Sequence, residues 1–308
     1  MTNLAPIIVF CYNRPWHVEQ TLEALSRNEL ADQSVLYIYC DGPKADASDE
    51  MRQKIAEVRQ VVRKCQWCKE VHVIEAEKNK GLAANVVDSV TEIVNQYGRV
   101  ITLEDDVITS VGYLRYMNDA LEMYKDDEQV MHISGYMWPH RYRLPETFFY
   151  PVPCPWGWAT WARAWQHYSD DAEALFHYWK NRWEEFNLFG GNYLQKQLED
   201  NYSGTLQTWF VKWYAVVLQQ GATALYPGKS LVDNKGFCEN STNCYQTNKF
   251  DIDHLAESIK VKRRPVRINR IAAHEIYAFY QGRWYNRRRR TRMINKILAF
   301  FHFPQIKL

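Results

Sequence analysis

The chain has 308 residues, 46% apolar and 24% charged, and a net charge of +2. This composition excludes disordered, collagen-like and coiled-coil proteins, and the length suits one large α/β domain or two small ones. The seven cysteines are scattered, which predicts a reducing, cytoplasmic environment rather than a disulfide framework. We expect neither a secretion signal nor a spanning helix, since no apolar run approaches roughly 18–20 residues.

The first half of the sequence alternates short apolar segments with segments of helical spacing. Residues 6–11, PIIVFC, are typical of a strand buried on both faces. The same patterns predict further strands at 34–40, 70–74, 99–103 and 129–133, with helices at 16–28, about 48–64, 81–97 and 110–125. Such alternation indicates an α/β fold with a mostly parallel sheet flanked by helices.

The second half is richer in Trp, Pro and Gly. Six of the 12 tryptophans lie between positions 156 and 183, around the sequence PCPWGWATWARAW. We predict a loop there, and a helical stretch from about 171 to 220. Because no linker is apparent, we expect 1–134 and 135–255 to be two halves of one catalytic domain, followed by an extension, 256–308.

Polar residues follow four of the predicted strands. Parallel sheets bind their ligands at the carboxyl ends of the strands, so we expect these residues to converge on one edge of the sheet. In chain order they are Asn13 and Arg14, then Asp41, then Lys78, Asn79 and Lys80, and finally Glu104, Asp105 and Asp106.

Glu104, Asp105 and Asp106 are the strongest local signal. Adjacent carboxylates repel one another, so a strand end holds three of them at a cost unless a positive group is bound. A divalent metal ion prefers carboxylate oxygens and would stabilise the charge on a departing diphosphate. A solvated acidic turn is the alternative, but the position directly after a buried strand favours the metal site.

The other polar sets have ordinary structural alternatives. Asn13, Arg14 and Asp41 suit a nucleoside and its phosphates, but both Asn-Arg-Pro and Asp-Gly-Pro also make turns. Lys80 is positioned to neutralise a phosphate, or simply precedes the start of a helix at Gly81.

The Trp-rich segment has two interpretations as well. Its aromatic rings suit the apolar faces of a sugar, or they pack in the core, and we expect a mixture of the two.

The order of these motifs resembles that of glycosyltransferases with the GT-A fold. The similarity is to the branch related to the N-acetylglucosaminyltransferases of glycan branching, and to bacterial sugar transferases. It runs from Pro6 to about Cys244 through PIIVFCYNRP, YCDG, NKGLAANV, ITLEDDV, PWGWATW and YPGKSLVDNKGF.

The resemblance implies a hexosyl- or N-acetylhexosaminyl-transferase and a divalent metal, Mn²⁺ or Mg²⁺. The donor would be a nucleotide-diphosphate sugar, above all a UDP-sugar, and the acceptor a hydroxyl of a surface glycan or lipid-linked molecule. It also implies residue roles: Arg14 and Asp41 at the nucleotide, Glu104 and Asp105 at the sugar and ribose, Asp106 at the metal, and Gly157 and Trp158 beside the donor sugar and acceptor.

Two positions depart from the family pattern. Thr208 stands before Trp209, where the branching enzymes carry the Asp that deprotonates the acceptor, and Asn243 stands where a His often lies near the metal. By proximity in sequence, the alternative candidates for the base are Glu199, Asp200 and Asp233.

The sequence therefore does not decide whether transfer inverts or retains the configuration of the sugar. It also allows two other functions. One is a nucleotidyltransferase, although YNRPWH lacks the Gly-rich first loop of that class. The other is a catalytically inactive relative that binds glycan or membrane.

The C-terminal end is strongly basic. Residues 276–308 contain eight Lys or Arg and no acid, which leaves 1–275 with a net charge of −6. Within this tail, Ile294, Ile297, Leu298 and Phe301 share one helical face. A basic amphipathic helix predicts binding to an anionic membrane at the inner face of the cell, and a helix packed on the body is the alternative. Nucleic acid is not an expected partner, because no nucleic-acid-binding motif accompanies the basic residues.

Overall fold

The computed structural model describes residues 4–237 and 247–282. The strands are β1 (Ile7–Cys11), β2 (Val35–Cys40), β3 (Glu70–Glu75), β4 (Arg99–Glu104), β5 (Val107–Thr109), β6 (Val130–Ser134), β7 (Thr147–Tyr150), β8 (Trp158–Trp161), β9 (Thr223–Pro227) and β10 (Val232–Asn234). The helices are α1 (Pro15–Ser26), α2 (Asp49–Val62), α3 (Leu82–Tyr97), α4 (Tyr113–Met123), α5 (Ala162–Trp165), α6 (Ala172–Trp179), α7 (Trp183–Phe186), α8 (Tyr193–Tyr202), α9 (Phe210–Gln219) and α10 (Arg270–Tyr280).

The first half forms the parallel sheet that the alternation predicts. β1, β2, β3 and β4 are parallel neighbours in the order β3-β2-β1-β4. Every residue of β1 is buried, as its continuous apolar sequence predicts. The chain runs from β1 to β2 and β3 on one side and then crosses to place β4 on the other side of β1. The strand order thus reverses between β1 and β4, and open α/β sheets bind ligands in the crevice at such a point.

The second half extends the same sheet. The full order is β3-β2-β1-β4-β8-β6-β9-β7, in which β8 is antiparallel to both β4 and β6. β6 and β9 are parallel, and β7 is antiparallel to β9. The sheet is therefore mostly parallel, as predicted, and it is continuous from one half of the chain to the other.

The prediction of a loop throughout the Trp-rich segment was wrong. Trp158–Trp161 form β8, whose four residues are all buried in the sheet between β4 and β6. The Pro and Gly residues before β8 favour a loop locally, whereas ladder hydrogen bonds to strands that are distant in sequence stabilise the extended form. The predicted helical stretch from 171 to 220 is likewise divided into four helices, α6 to α9.

The extension after residue 255 is partly attached to the body. α10 packs against β7 and buries Ile276 and Phe279. The predicted amphipathic helix with Ile294, Ile297, Leu298 and Phe301 lies outside the described residues, and so does Asn243. Within residues 4–237 and 247–282, no helix combines the length and apolarity needed to cross a bilayer.

Candidate active site at the ends of β1 and β4

All four polar sets follow the carboxyl ends of adjacent parallel strands, at one edge of the sheet. The structure joins them into two clusters. Arg14, after β1, contacts Asp105 and Asp106, after β4. Asp41, after β2, contacts the segment of Asn79, Lys80 and Gly81, after β3. The first cluster lies where the strand order reverses.

Arg14 is the positive group that the three acids need. Its guanidinium makes a close ion pair with Asp105 and donates a second hydrogen bond, 2.7 Å long, to Asp106 Oδ2. The Arg14 side chain is 18% exposed, against 5% and 8% for the two carboxylates. The sequence predicted neutralisation by a bound metal. It gives no sign of this internal pairing, because 91 residues separate the partners.

The first turn of α1 fixes this geometry. Arg14 is the N-cap of α1, and Pro15 begins the helix with its backbone already restricted to a helical angle. About two turns later, the buried Thr21 donates its hydroxyl hydrogen to the backbone oxygen of Asp105, at 2.8 Å. Helix α1 and its N-cap therefore contact the acidic segment after β4 twice, Arg14 at the carboxylates of Asp105 and Asp106 and Thr21 at the Asp105 backbone oxygen.

Burial and mutual repulsion alter the protonation of the acids. Burial, with the nearby charges of Asp106 and Asp105, raises the pKa of Glu104 to about 8. Burial also raises the pKa of Asp105 to about 6, although the Arg14 charge acts in the opposite direction. Burial lowers the pKa of Arg14, but the two carboxylates outweigh this and raise it above its ordinary value. The raised pKa of Glu104 favours its protonated form, which can donate to a ligand, while Arg14 stays charged.

Asp106 has an open carboxylate oxygen. Its Oδ1 is buried and accepts no hydrogen bond from any residue that the structure describes. Burying an acceptor without a partner is costly, so this atom fits a bound cation. No three His, Cys, Asp or Glu side chains within 4–237 and 247–282 form a group that could hold a metal. The residues thus fit a divalent cation that takes its remaining ligands from phosphate and water.

The segment after β10 closes over Asp106. β10 pairs with β5, which places Asp233 opposite Ile108, and the Lys235 backbone N–H donates to the Asp106 carbonyl at 2.8 Å. Gly236 lies so close that a Cβ there would overlap the Asp106 carboxylate. The motif YPGKSLVDNKGF was recognised in the sequence, but the direct roles of Lys235 and Gly236 depend on the β5–β10 pairing.

In the second cluster, both carboxylate oxygens of Asp41 already accept hydrogen bonds from neighbouring residues. Asp41 is 6% exposed, and its carboxylate accepts from the backbone N–H groups of Gly42, Lys80 and Gly81 and from Asn79 Nδ2, at 2.8–3.0 Å. Asp41 therefore positions the segment before α3. The Lys80 side chain is 54% exposed, so its ammonium is accessible at this edge.

Gly157 and Trp158 are buried in the interior of the fold and are not exposed at the edge of the sheet that carries the acids. Gly157 has φ +62°, and a Cβ there would press on Val232, Tyr113 and Leu103 at 3.1–3.3 Å, so its backbone angle favours glycine and the close packing adds to this. Trp158 is 2% exposed, and its ring stacks with His132 and Trp209. The Trp158 side chain therefore packs in the core, which is one of the two interpretations that the sequence allowed.

The candidates for the base are separated in space. Asp233 lies beside the acidic segment through the β5–β10 pairing and forms a close ion pair with Lys235. Glu199 and Asp200 lie on α8, where they pair with Gln195 and Lys196.

Thr208, at the position of the family's catalytic Asp, contacts α8. Its backbone N–H and hydroxyl are hydrogen-bonded to the side chain of Asn201, at the end of α8.

No known protein family and no curated protein sequence matches the chain. Among solved structures, it is similar to S. aureus TarS, with 13% identity, a TM-score of 0.36, and coverage of 75% of this chain and 36% of that one. For apo mouse xyloside xylosyltransferase 1 the identity is 10%, the TM-score 0.34 and the coverages 70% and 81%. For the galactosyltransferase LgtC with donor and acceptor sugar analogues they are 8%, 0.36, 71% and 72%.

Two of these neighbours are by name sugar transferases, the kind of protein that the sequence motifs resemble. The chain spans little more than a third of the length of the TarS chain. All three TM-scores are below 0.5, so a function for this chain has to be argued from its own site.

Proposed function

We propose that this protein is a glycosyltransferase that moves a sugar from a nucleotide-diphosphate sugar to a hydroxyl of a surface glycan or a lipid-linked acceptor. The observation that carries the proposal is the meeting of Arg14 with Asp105 and Asp106 where the strand order reverses. A diphosphate donor needs cationic groups, and the sugar and ribose need hydrogen-bonding groups. This crevice offers both within one cluster.

The residues of the cluster have complementary roles in the proposal. Arg14 presents a planar guanidinium whose fork matches phosphate oxygens as well as carboxylates. Asp106 would hold a divalent cation, Mn²⁺ or Mg²⁺, through its open oxygen. Such a cation would stabilise the negative charge on the departing diphosphate. Burial raises the pKa of Glu104 and so favours a carboxyl that can donate to a hydroxyl of the sugar or ribose, and Asp105 can accept from one.

Among the three predicted bases, the proposal favours Asp233. It is joined to the acidic segment through β5, whereas Glu199 and Asp200 face partners on α8. A base must lie within hydrogen-bond reach of the acceptor hydroxyl, and the donor crevice is the place where that hydroxyl has to arrive. Asp233 forms a close ion pair with Lys235, which holds its carboxylate in place beside the acidic segment.

The organisation of the chain remains part of the proposal. Residues 1–134 would supply most of the donor site and 135–255 the acceptor side, with Asp233 and Gly236 completing the donor crevice. Residues 256–308 would bring the enzyme to an anionic membrane at the cytoplasmic face, close to lipid-linked acceptors. The donor is proposed to be a UDP-sugar on the strength of the family resemblance.

The test is a donor screen on the full chain. The protein is incubated with UDP-, GDP-, CDP-, ADP- and dTDP-sugars, with Mn²⁺ or with a chelator, and both donor binding and nucleotide release are measured. We expect binding and slow nucleotide release with one donor class. Absence of binding to every donor under both conditions would refute the proposal and leave an inactive relative. Release of pyrophosphate from a nucleoside triphosphate would indicate a nucleotidyltransferase.

A matched pair of variants locates the activity. Asp106→Asn keeps the shape of the side chain but removes its charge, and it should lower nucleotide release at least 100-fold. Asp126→Asn makes the same change at an exposed position near the start of β4, the end opposite the acids, and should leave release unchanged. Equal activities of the two variants would show that the acidic segment after β4 is not the active site.

A further inference from the structure

The two carboxylate oxygens of Asp106 have different surroundings. Oδ2 accepts a hydrogen bond from Arg14 at 2.7 Å, and Oδ1, also buried, has no partner in the part of the chain that the structure describes. A cation on Oδ1 would therefore lie beside the guanidinium on the same carboxylate. Two cations on one buried carboxylate repel each other strongly, because little water is present to screen them.

Arg14 itself is held but not enclosed. Its side chain is 18% exposed, more than either acid that it contacts. Arginine binds phosphate with the same fork that binds carboxylate, so a diphosphate at this edge competes with Asp106 for the guanidinium. When Arg14 moves from Asp106 to phosphate, a cation at Asp106 replaces the positive charge that this carboxylate loses.

We infer that Arg14 is a resident counter-ion that keeps a divalent cation out of the site until a diphosphate draws the guanidinium away from Asp106. The inference rests on the proposed function and specifies how the binding of metal is coupled to the binding of donor. Metal and donor bind together, and the enzyme without donor has low affinity for metal. Arg14 thereby prevents the acidic cluster from holding a cation in an unproductive state.

The test measures Mn²⁺ binding to the full chain without any nucleotide, from the electron paramagnetic resonance signal of free Mn²⁺. Wild type should bind weakly. Arg14→Gln removes the competing charge, so it should bind Mn²⁺ at least tenfold more tightly, whereas Arg14→Lys keeps the charge and should resemble wild type. Equal affinities of wild type and Arg14→Gln would overturn the inference.

Two controls accompany this comparison. Arg27→Gln removes an exposed charge at the other end of α1 and should leave the Mn²⁺ affinity at the wild-type value. Adding Asp106→Asn to Arg14→Gln should abolish the gain, because the gained site is the Asp106 carboxylate. A gain that survives Asp106→Asn would place the metal elsewhere and contradict the inference.

A second measurement uses only wild-type protein, in case Arg14→Gln does not fold. Mn²⁺ retained with the protein on ultrafiltration is compared without additive and with saturating UDP or pyrophosphate, against protein-free mixtures that correct for Mn²⁺ held by the anion, and the anion should tighten binding at least tenfold. Unchanged affinity with both anions would overturn the inference. The nucleotide-free comparison involves no sugar donor, so its failure is distinguishable from failure of the proposed transferase activity, which the donor screen detects.

Discussion

His132 should make the protein sensitive to mild acid. It lies in β6, fully buried, and its ring stacks with Trp158. Trp213 donates its indole hydrogen to His132 Nδ1 at 3.2 Å, so the proton of the neutral ring is on Nε2, which faces the Cys154 carbonyl at 3.1 Å. A second proton, on Nδ1, would oppose the indole N–H. Burial lowers the pKa of His132 to about 3, although the bond to Cys154 acts in the other direction.

The size of the effect follows from the difference between the folded and unfolded states. The unfolded chain takes up a proton on this residue as the pH falls below about 6.5, whereas the folded protein does so only near pH 3. The folded state is therefore destabilised as the pH falls from about 6.5 towards 3. Between pH 7.5 and 5.0 the loss amounts to about 2 kcal/mol of unfolding free energy, at 1.36 kcal/mol per pH unit.

The assay is urea unfolding of wild type and His132→Gln at pH 7.5 and 5.0. Gln carries no titrating group, so the stability advantage of wild type over the variant should shrink by about 2 kcal/mol at the lower pH. His167→Gln, at an exposed position, should keep the wild-type dependence on pH. If the difference between wild type and His132→Gln were the same at both pH values, the assignment of His132 as a buried neutral ring would be refuted.

Three further predictions concern the site and the tail. Gly236→Ala should displace the Asp106 carboxylate and lower nucleotide release at least tenfold, whereas Gly191→Ala, which meets open space, should not; equal rates would contradict the contact at Gly236. Asp41→Asn exchanges one of two filled acceptor oxygens for a donor, and should lower the unfolding free energy by roughly 2–4 kcal/mol in a urea titration; a change below about 0.5 kcal/mol would contradict its positioning role. Removal of residues 283–308 should abolish sedimentation with vesicles containing anionic lipid but leave nucleotide release with a soluble acceptor unchanged, and undiminished sedimentation would reject the membrane hypothesis.

Local pattern was sufficient to predict the first half of the fold. The apolar run of β1 and the alternation up to β6 are properties of neighbouring residues, and the predicted elements correspond to strands and helices in the structure. The edge that carries Arg14, Asp41 and Asp106 followed as well, because parallel strands with right-handed crossovers place all their carboxyl ends on one side.

Tertiary structure decided which residues meet. β8 exists because β4 and β6 supply its ladder partners, although its flanking Pro and Gly favour a loop. Arg14 pairs with acids 91 residues away, and Gly236 reaches Asp106 only through the β5–β10 pairing.

Sequence spacing therefore determined most of the elements of the first half and the edge at which the polar residues gather. Strand pairing and burial determined the partner of each charge. The physical reason is that periodicity depends on adjacent residues, whereas a buried charge is stabilised by whichever opposite charge the completed fold brings within reach.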